Sequence, residues 1–292
     1  MTFRAYLLVV ILVLTSINVM AASDSLNSVW RDSFVSTYTE PSRSEFKKAK
    51  KLFKRQFAGE DSADLVLDWQ EIGYDLMKWQ KDDREFFILK ENESKGRGRG
   101  FFVFPIDGFD GALVLQVPHG KSDLYTGKIG TKLMTEHKFL AGAWNTAPRR
   151  YEENGVAVNV DMGKHTQSFF SAFTEALAVA RKDTITLQLH GFSGLNRKTE
   201  AGANADAIIS PGVKKSRPLT DAYHACLRQK LGKNVLLYPR DVNELGGTLN
   251  ISGEILRQYR SHEFIHLEIS KGLRGELRKK RELRKHLVNC LQ

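Results

Sequence analysis

The stretch VLQVPHGKSDLYTG, residues 114–127, runs an apolar segment into a proline, a histidine, two glycines and an aspartate. The apolar part is typical of a buried β-strand, and the polar part that follows is typical of a loop. His119 and Asp123 stand four residues apart on this loop. One interpretation is a turn in which Asp123 hydrogen-bonds its own backbone, since Asp, Ser and Gly favour turns. The other is half of a metal site, which requires partners from elsewhere in the chain.

Around this stretch, β-rich segments alternate with segments of helical periodicity. The predicted strands are residues 85–91, 100–106, 111–117, 139–145, 183–192, 206–212, 234–241 and 263–270. The predicted helices are residues 167–182, 219–232 and 272–291. This alternation predicts an α/β domain with a mixed, mostly parallel sheet flanked by helices. In open sheets of this kind, ligands bind beyond the carboxyl ends of the strands.

The first residues have the layout of a secretory signal peptide. Residues 1–22 place Arg4 near the start, then an apolar run, then the small residues Ala21 and Ala22. The alternative is an uncleaved membrane anchor, although the apolar run is short for a span of ~20 residues. The signal peptide predicts a periplasmic or secreted protein.

Two further parts are predicted after the signal peptide. Residues 23–84 are predicted to form a helical extension, with helices at 43–57 and 64–80. The first of these is basic and amphipathic, which is compatible with docking on the domain or with contact to an anionic surface. Residues 85–292 are predicted to form the α/β domain.

The composition limits the classes of partner. The formal net charge of +10 suits polyanionic surroundings such as cell-wall polymers, anionic lipid or acidic peptides. No nucleic-acid-binding motif accompanies the charge, so nucleic acid is not an expected partner, and nothing in the sequence specifies an oligomeric state.

Two local features have structural interpretations. The basic run GRGRG at 96–100 is interpreted as a solvated turn. Cys226 and Cys290 could form a disulfide that fastens the C-terminal helix, or could remain buried free thiols.

Three predicted strands carry side chains that could bind a metal ion near their ends. His119 and Asp123 follow the first of these strands, and His190 lies in the second. His266 and Glu268 project from the same face of the third, because they are two residues apart. A catalytic zinc ion needs three nitrogen or oxygen ligands and one open position for water. We expect His119, Asp123 and His190 to bind one zinc ion and Glu268 to act as general base, with His266 as an alternative ligand.

Five segments, in this order, resemble a known family: VPHGKSDLYTGKIG, NTAPRR, DMGKHTQSFFSAF, LQLHGF and HLEISKGLR. They are similar to the N-formylglutamate amidohydrolase and poly-γ-glutamate hydrolase relatives of the zinc carboxypeptidases, over roughly residues 110–275. The resemblance implies a carboxypeptidase-like fold, one zinc ion on His119, Asp123 and His190, and acid/base work by Glu268. Carboxypeptidases have His-x-x-Glu where this chain has three residues between the histidine and an aspartate.

The resemblance also implies a site for a substrate carboxylate within NTAPRR. Arginine suits this task, because its planar guanidinium binds a carboxylate through two hydrogen bonds. Arg149 is expected to hold a carboxylate or polarise the scissile carbonyl, and Asn145 and Arg150 are expected to bind substrate. Asn250 lies in the segment GGTLNISG at 246–253, which is interpreted as a loop that approaches the site, and is also expected to contact substrate. The alternative for the two arginines is pairing with nearby surface glutamates. Asp161 is expected to cap the helix that follows it, the alternative being that it orients a ligand histidine.

The sequence therefore predicts an exported, zinc-dependent amidohydrolase or carboxypeptidase-like peptidase that cleaves an amide bond beside a carboxylate, in an acidic or cell-wall peptide. The alternative is a non-catalytic basic protein that binds the cell wall or membrane surface on the same fold, which the basic helices at 43–57 and 273–288 motivate. A serine hydrolase is not favoured, because HGFSG contains Ser193 without the Gly-x-Ser-x-Gly elbow.

Overall fold

The computed structural model describes residues 25–106, 111–259 and 262–292, so the predicted signal peptide lies outside the described residues. Within these ranges no helix combines the length and the apolar character of a membrane span. The helices are α1 (Leu26–Arg31), α2 (Arg43–Phe57), α3 (Ala63–Glu71), α4 (Thr126–Glu136), α5 (Phe169–Ala180), α6 (Glu200–Asn204), α7 (Pro218–Leu231), α8 (Ile251–Arg257), α9 (Lys271–Leu277) and α10 (Arg281–Asn289). The strands are β1 (Tyr74–Lys81), β2 (Arg84–Glu91), β3 (Phe101–Pro105), β4 (Leu113–Val117), β5 (Ala141–Trp144), β6 (Arg150–Glu153), β7 (Val156–Asn159), β8 (Thr184–Phe192), β9 (Ala207–Ser210), β10 (Val235–Leu237) and β11 (His262–Ser270).

In the described part of the chain, nine strands form one mixed sheet in the order β1-β2-β3-β5-β4-β8-β11-β9-β10. Its central strands β5, β4, β8 and β11 run parallel to one another. Antiparallel pairs join β1, β2, β3 and β5 on one side and β11 to β9 on the other. The predicted α/β class with a mixed sheet is confirmed, and the parallel part is its centre. Parallel strands have their carboxyl ends at one edge, which is where a ligand site is expected.

Helices cover both faces of the sheet, so the central strands are apolar on both sides. Along β4, Leu113, Leu115 and Val117 pack into a layer that also holds apolar residues of α1, α4, α7, α9 and α10. Val114 faces the opposite layer, with residues of α2, α3, α5 and α8. Gln116 is a fully buried polar residue in this strand. A buried amide in an otherwise apolar strand must find polar partners, and these are described with the site below.

The helix predicted at 64–80 is confirmed only in its first half. It ends at Glu71, just before Gly73, whose positive φ of 86° suits a residue without a side chain. The chain then forms β1, in which Tyr74 packs into one layer and Trp79 into the other. Because β1 joins the main sheet, the segment predicted as a helical extension is helical only as far as Glu71.

Two other predictions concern the C-terminal part of the chain, its last helix and its two cysteines. The single C-terminal helix predicted at 272–291 is two helices, α9 and α10, with a break between them. Cys226 of α7 and Cys290 at the end of α10 form a disulfide, with Cα atoms 5.7 Å apart. Of the two states considered for the cysteines, the structure has the bridge that fastens the C-terminal helix.

The interpretation of GRGRG as a solvated turn is wrong. Arg99 is 4% exposed, and its guanidinium donates hydrogen bonds to Glu45 of α2. Arg97 also donates to Glu45, at 2.7 Å. The same helix α2 docks through its apolar face, where Phe53 and Phe57 are buried. Docking of this helix on the domain, one of its two predicted roles, is therefore confirmed.

Candidate metal centre

The turn after β4 brings His119 and Asp123 together. The backbone N–H of Asp123 donates to the carbonyl of His119 at 2.7 Å, which closes the turn. Gly120 and Gly127 lie against the indole of Trp30 in α1, where any side chain carbon would overlap the ring. The first described helix therefore supports the loop that carries both side chains.

The next two side chains come from neighbouring parallel strands. His190 of β8 and Glu268 of β11 are register partners, and so are Gln188 and His266. Register partners in adjacent strands point to the same face of a sheet, so these four side chains form one polar patch on a largely apolar sheet. β4 lies on the other side of β8, which places the His119 loop beside the patch.

Three side-chain atoms surround one point at this edge of the sheet. His119 Nδ1 lies 3.2 Å from His190 Nδ1 and 3.7 Å from Asp123 Oδ2. His190 Nδ1 lies 4.0 Å from the same Asp123 oxygen. A point equidistant from these atoms lies about 2.1 Å from each, which is the length of a zinc–nitrogen or zinc–oxygen bond. The three residues predicted as metal ligands thus have a spacing that fits a single ion.

The remaining ring nitrogens fix which atoms of the histidines face that point. His119 Nε2 lies 2.8 Å from Asp161 Oδ1, and His190 Nε2 lies 2.7 Å from Gln188 Oε1. Both oxygens are acceptors, so both Nε2 atoms donate and the Nδ1 lone pairs face each other. Only a proton or a metal ion between them makes a 3.2 Å approach of two lone pairs favourable. Two imidazoles and one carboxylate are donor types that proteins use to bind a divalent metal ion.

Asp161 has the role that was considered the alternative for it. It accepts hydrogen bonds from His119 and from the guanidinium of Arg149, at 2.8 Å each. The helix that follows is capped instead by Ser168, whose side chain accepts from the N–H of Ser171. The predicted capping role of Asp161 is therefore wrong, and its carboxylate instead fixes the ring of His119, a predicted ligand.

The surroundings shift the pKa values of these groups in opposite directions. Burial lowers the pKa of His119, but hydrogen bonds to Asp123 and Asp161 outweigh it, so the pKa is raised overall. Burial and the nearby His266, His119 and Arg149 hold the pKa of His190 well below its usual value. Burial opposes ionisation of Asp161, yet the contacts with His119 and Arg149 lower its pKa. These surroundings favour a neutral imidazole at His190 and a carboxylate at Asp161.

A cavity of about 300 Å³ opens above these atoms. Its walls carry the three predicted ligands, the cations Arg149 and Lys164, the loop 245–250, and His266 with Glu268. Glu268 is 8% exposed, and its Oε2 has no hydrogen-bond partner among the described residues. Its other oxygen lies 3.3 Å from His266 Nε2. A buried carboxylate oxygen without a partner normally costs stability, so its presence beside the three predicted ligands indicates a candidate functional group.

The structure brings some of the predicted substrate residues to the cavity. Arg149 lines it and keeps a buried Nε without a hydrogen-bond partner in the described structure. Asn250 also lines the cavity, but its amide is already engaged. It donates to Gln188 at 2.5 Å and accepts from the N–H groups of Ser252 and Gly253 as the cap of α8. Asn250 is placed to support Gln188 rather than to bind substrate through its side chain.

Two predicted substrate residues are not among those that line the cavity. Asn145 is buried, and its amide donates to the carbonyl of Ala147 and accepts from the N–H of the same residue. Arg150 is exposed at the start of β6. Of the arginine pair, the structure therefore offers only Arg149 to the cavity.

Several residues around the site were missed from the sequence. Gln188 Nε2 donates to Gln116 of β4, and Gln116 donates to Thr174 of α5, so buried amides link His190 to the core. The sequence signal was a glutamine inside each of two apolar strands. Two further histidines, His224 and His262, are also buried, but their rings are hydrogen-bonded to backbone carbonyls away from the site.

Comparisons with known proteins give distant structural likenesses. No family model and no curated protein sequence matches the chain. A presumed carboxypeptidase A from Shewanella denitrificans is similar in structure, with 9% identity, a TM-score of 0.42, and coverage of 75% of this chain and 76% of that one. A presumed metallopeptidase from Shewanella amazonensis is also similar, with 10% identity, a TM-score of 0.35, and coverage of 87% and 97%. Likenesses this distant do not specify chemistry, which depends on the side chains of the site.

Proposed function

We propose that this protein is an exported, metal-dependent amide hydrolase, with zinc on His119, Asp123 and His190. The observation that carries the proposal is the triangle of two facing Nδ1 atoms and one carboxylate oxygen at the floor of a cavity. Beside it, Glu268 keeps a buried oxygen without a partner in the described structure. Ligands for one ion, an accessible cavity and a free base together are what metal-assisted hydrolysis requires.

Each residue has a defined part in such a reaction. Zinc supplies Lewis-acid chemistry when bound and lowers the pKa of a water ligand to about 7. Asp161 and Gln188 hold the two histidine rings with Nδ1 directed at the ion. The carboxylate of Glu268 accepts the proton of the attacking water and delivers it to the leaving amine. His266, hydrogen-bonded to the other oxygen, keeps the Glu268 carboxylate in place.

The cavity wall suggests an amide bond that lies beside a carboxylate. Arg149 lines the cavity and has a buried Nε without a hydrogen-bond partner among the described residues, and Lys164 lies exposed on the same wall. An arginine held at one end by Asp161 is pre-organised to bind a substrate carboxylate with its other edge. Acidic or cell-wall peptides provide such a group, and the disulfide supports an oxidising compartment outside the cytoplasm.

The proposal is tested by metal analysis and by hydrolysis of peptides and acyl amino acids that end in a carboxylate. The purified protein should contain about one equivalent of metal, and a chelator should abolish turnover. Glu268→Gln should keep the metal and lose at least ~100-fold in kcat, the usual contribution of a general base. Glu263→Gln is the matched control, because Glu263 lies on the same strand but pairs with Arg217 on the opposite face. Metal-free protein with full activity would contradict the proposal.

One observation favours a second function, attachment to an anionic polymer or membrane surface. Four cations of α2, namely Arg43, Lys47, Lys51 and Lys54, are exposed along one side of the helix. None of the four has an ion-pair partner among the described residues, whereas their neighbours Lys48, Lys50 and Arg55 are paired. This basic stripe would hold the protein near anionic material without taking part in catalysis.

A further inference from the structure

Arg274 of α9 is a buried cation directly behind the proposed metal centre. It is 5% exposed, and its Nη1 donates to the carbonyls of Phe192 and Ile269. Phe192 ends β8, two residues after His190, and Ile269 follows Glu268 in β11. One guanidinium nitrogen therefore joins the carboxyl ends of the two strands that carry a predicted ligand and the predicted base.

The same guanidinium limits which residue type fits at position 191. A side-chain carbon on Gly191 would overlap Arg274 Nη1, so only glycine leaves room for the arginine. The N–H of Gly191 donates to Asp123 Oδ2 at 2.8 Å, which is the oxygen that faces the two histidines. Arg274 thus packs against the peptide that orients the third predicted ligand.

Electrostatics supports a position near the reacting groups. Burial lowers the pKa of Arg274, and the charges of Asp123 and Glu268 partly offset this effect. An arginine stays protonated even so, and it places a fixed positive charge near two carboxylates that would otherwise repel each other. Its Nε is buried without a hydrogen-bond partner in the described structure, a cost that a purely structural clamp does not require.

We propose that Arg274 is a positioning residue, which sets the spacing between His190 and Glu268 and holds Asp123 towards the metal point. Its effect on catalysis rests on the proposed function, whereas its effect on the two histidine rings does not. Residues that orient metal ligands typically contribute 10- to 100-fold in metal affinity or activity. Replacing Arg274 should therefore change the ring signals of the two histidines, the zinc affinity and kcat. A loss of stability alone would leave all three unchanged in the folded protein.

The experiment compares Arg274→Met with a matched variant, Arg284→Met. Arg284 is also a buried arginine that donates to a carbonyl, that of Leu277, and it pairs with Glu136. Neither Arg284 nor Glu136 lines the cavity. Ring ¹⁵N–¹H spectra of the metal-free proteins, the dissociation constant for zinc, and kcat are measured for both variants at a temperature where each is folded.

Arg274→Met should shift the ring signals of His119 and His190 but not of His224, and should weaken zinc binding and kcat by roughly 10- to 100-fold. Arg284→Met should reduce thermal stability and leave all three quantities within twofold. Arg274→Lys, which restores one donor, should recover part of the zinc affinity and kcat. It replaces Arg274→Met in the comparison if the methionine variant does not fold. Wild-type ring signals and zinc affinity in a folded Arg274 variant would overturn the proposal. Shifted ring signals in a protein without hydrolytic activity would support Arg274 and contradict the proposed function instead.

Discussion

The two histidines of the proposed centre are held by different kinds of acceptor. His119 donates to the carboxylate of Asp161, and His190 donates to the neutral amide of Gln188. A carboxylate acceptor makes the ring more basic and a better ligand, whereas an amide fixes the orientation without adding charge. The charge of Asp161 also binds Arg149, so one residue links His119 to the wall of the cavity that carries Arg149.

Asp161→Asn removes this charge while keeping the side-chain shape. Metal affinity should fall by roughly 10- to 100-fold, because the ring of His119 loses its ionic partner. Arg149 loses a partner too, so KM for a carboxylate substrate should change together with metal affinity. Metal titration and steady-state kinetics measure both effects. Asp183→Asn, an exposed aspartate before β8, is the control and should leave both unchanged. A variant that binds metal like the wild type would rule out the assigned role of Asp161.

At the residue scale, donor types were the most informative signal. His119, Asp123, His190 and Glu268 were predicted to share one site because imidazoles and carboxylates near the ends of predicted strands are costly to bury without a purpose, and the structure brings all four to one cavity. Arg149 and Arg150 could not be told apart, since the sequence does not reveal that β6 turns Arg150 to the surface. Asn145 was expected at the cavity for its amide, yet its own turn uses both ends of that amide.

At the scale of elements, the ion pair between α2 and the loop before β3 gives a pH dependence. The hydrogen bond from Arg99 lowers the pKa of Glu45 to about 2. A carboxyl whose folded pKa is depressed stabilises the protein above its unfolded pKa of ~4.3, and this stability is lost as the pH falls towards 2.

Glu45→Gln should therefore lower the free energy of unfolding at pH 6 by about 1–2 kcal/mol, allowing for partial solvent screening. The difference from wild type should shrink between pH 4.5 and pH 2.5. Denaturant titrations at several pH values measure it, with the exposed Glu85→Gln as control. A difference that stays constant with pH would show that the charge of Glu45 is not the cause.

Element types were predictable where periodicity is unambiguous, as for α2, α5, β8 and β11. The sequence predicts a helix where the structure has strand β1. The large apolar residues of β1 are buried on both faces, so its sequence lacks the alternation of apolar and polar residues that is typical of a strand. Helix α4 was missed, because TGKIGTKLMTE contains two glycines and three threonines, which are weak helix formers. Its glycines are explained only by tertiary contact: Gly127 lies against Trp30, and Gly130 lies against Trp144.

At the scale of the whole molecule, the disulfide ties the last helix to α7. It closes a segment with a sequence separation of 64 residues, for which the chain-entropy account gives a stabilisation of about 4 kcal/mol. Replacing Cys226 and Cys290 by serine should therefore reduce the free energy of unfolding by roughly 2–4 kcal/mol. Equilibrium denaturation measures the loss. Because neither cysteine lines the cavity, the zinc affinity of the folded variant should be unchanged. A large loss of zinc affinity would show that the disulfide also affects the proposed metal centre.

The basic stripe of α2 gives a second prediction for the whole molecule. Binding to dextran sulfate should weaken as salt is added, because exposed charges are screened over a Debye length of about 8 Å at physiological ionic strength. Replacing Lys47, Lys51 and Lys54 by glutamine should weaken binding roughly tenfold at low salt and leave hydrolysis unchanged. The matched control replaces Lys48, Lys50 and Arg55, three cations of the same helix that are already paired within the protein. Equal losses in both variants would show that no particular face is used.

The contact of Trp30 with Gly120 and Gly127 has a consequence for how this architecture diverges. An indole from the first described helix occupies the space where side chains at both positions would lie. A related chain without that helix would have room there, and alanine or a larger residue could replace either glycine. Among distant relatives, the loss of the tryptophan and the loss of the two glycines should therefore occur together, as one inherited change.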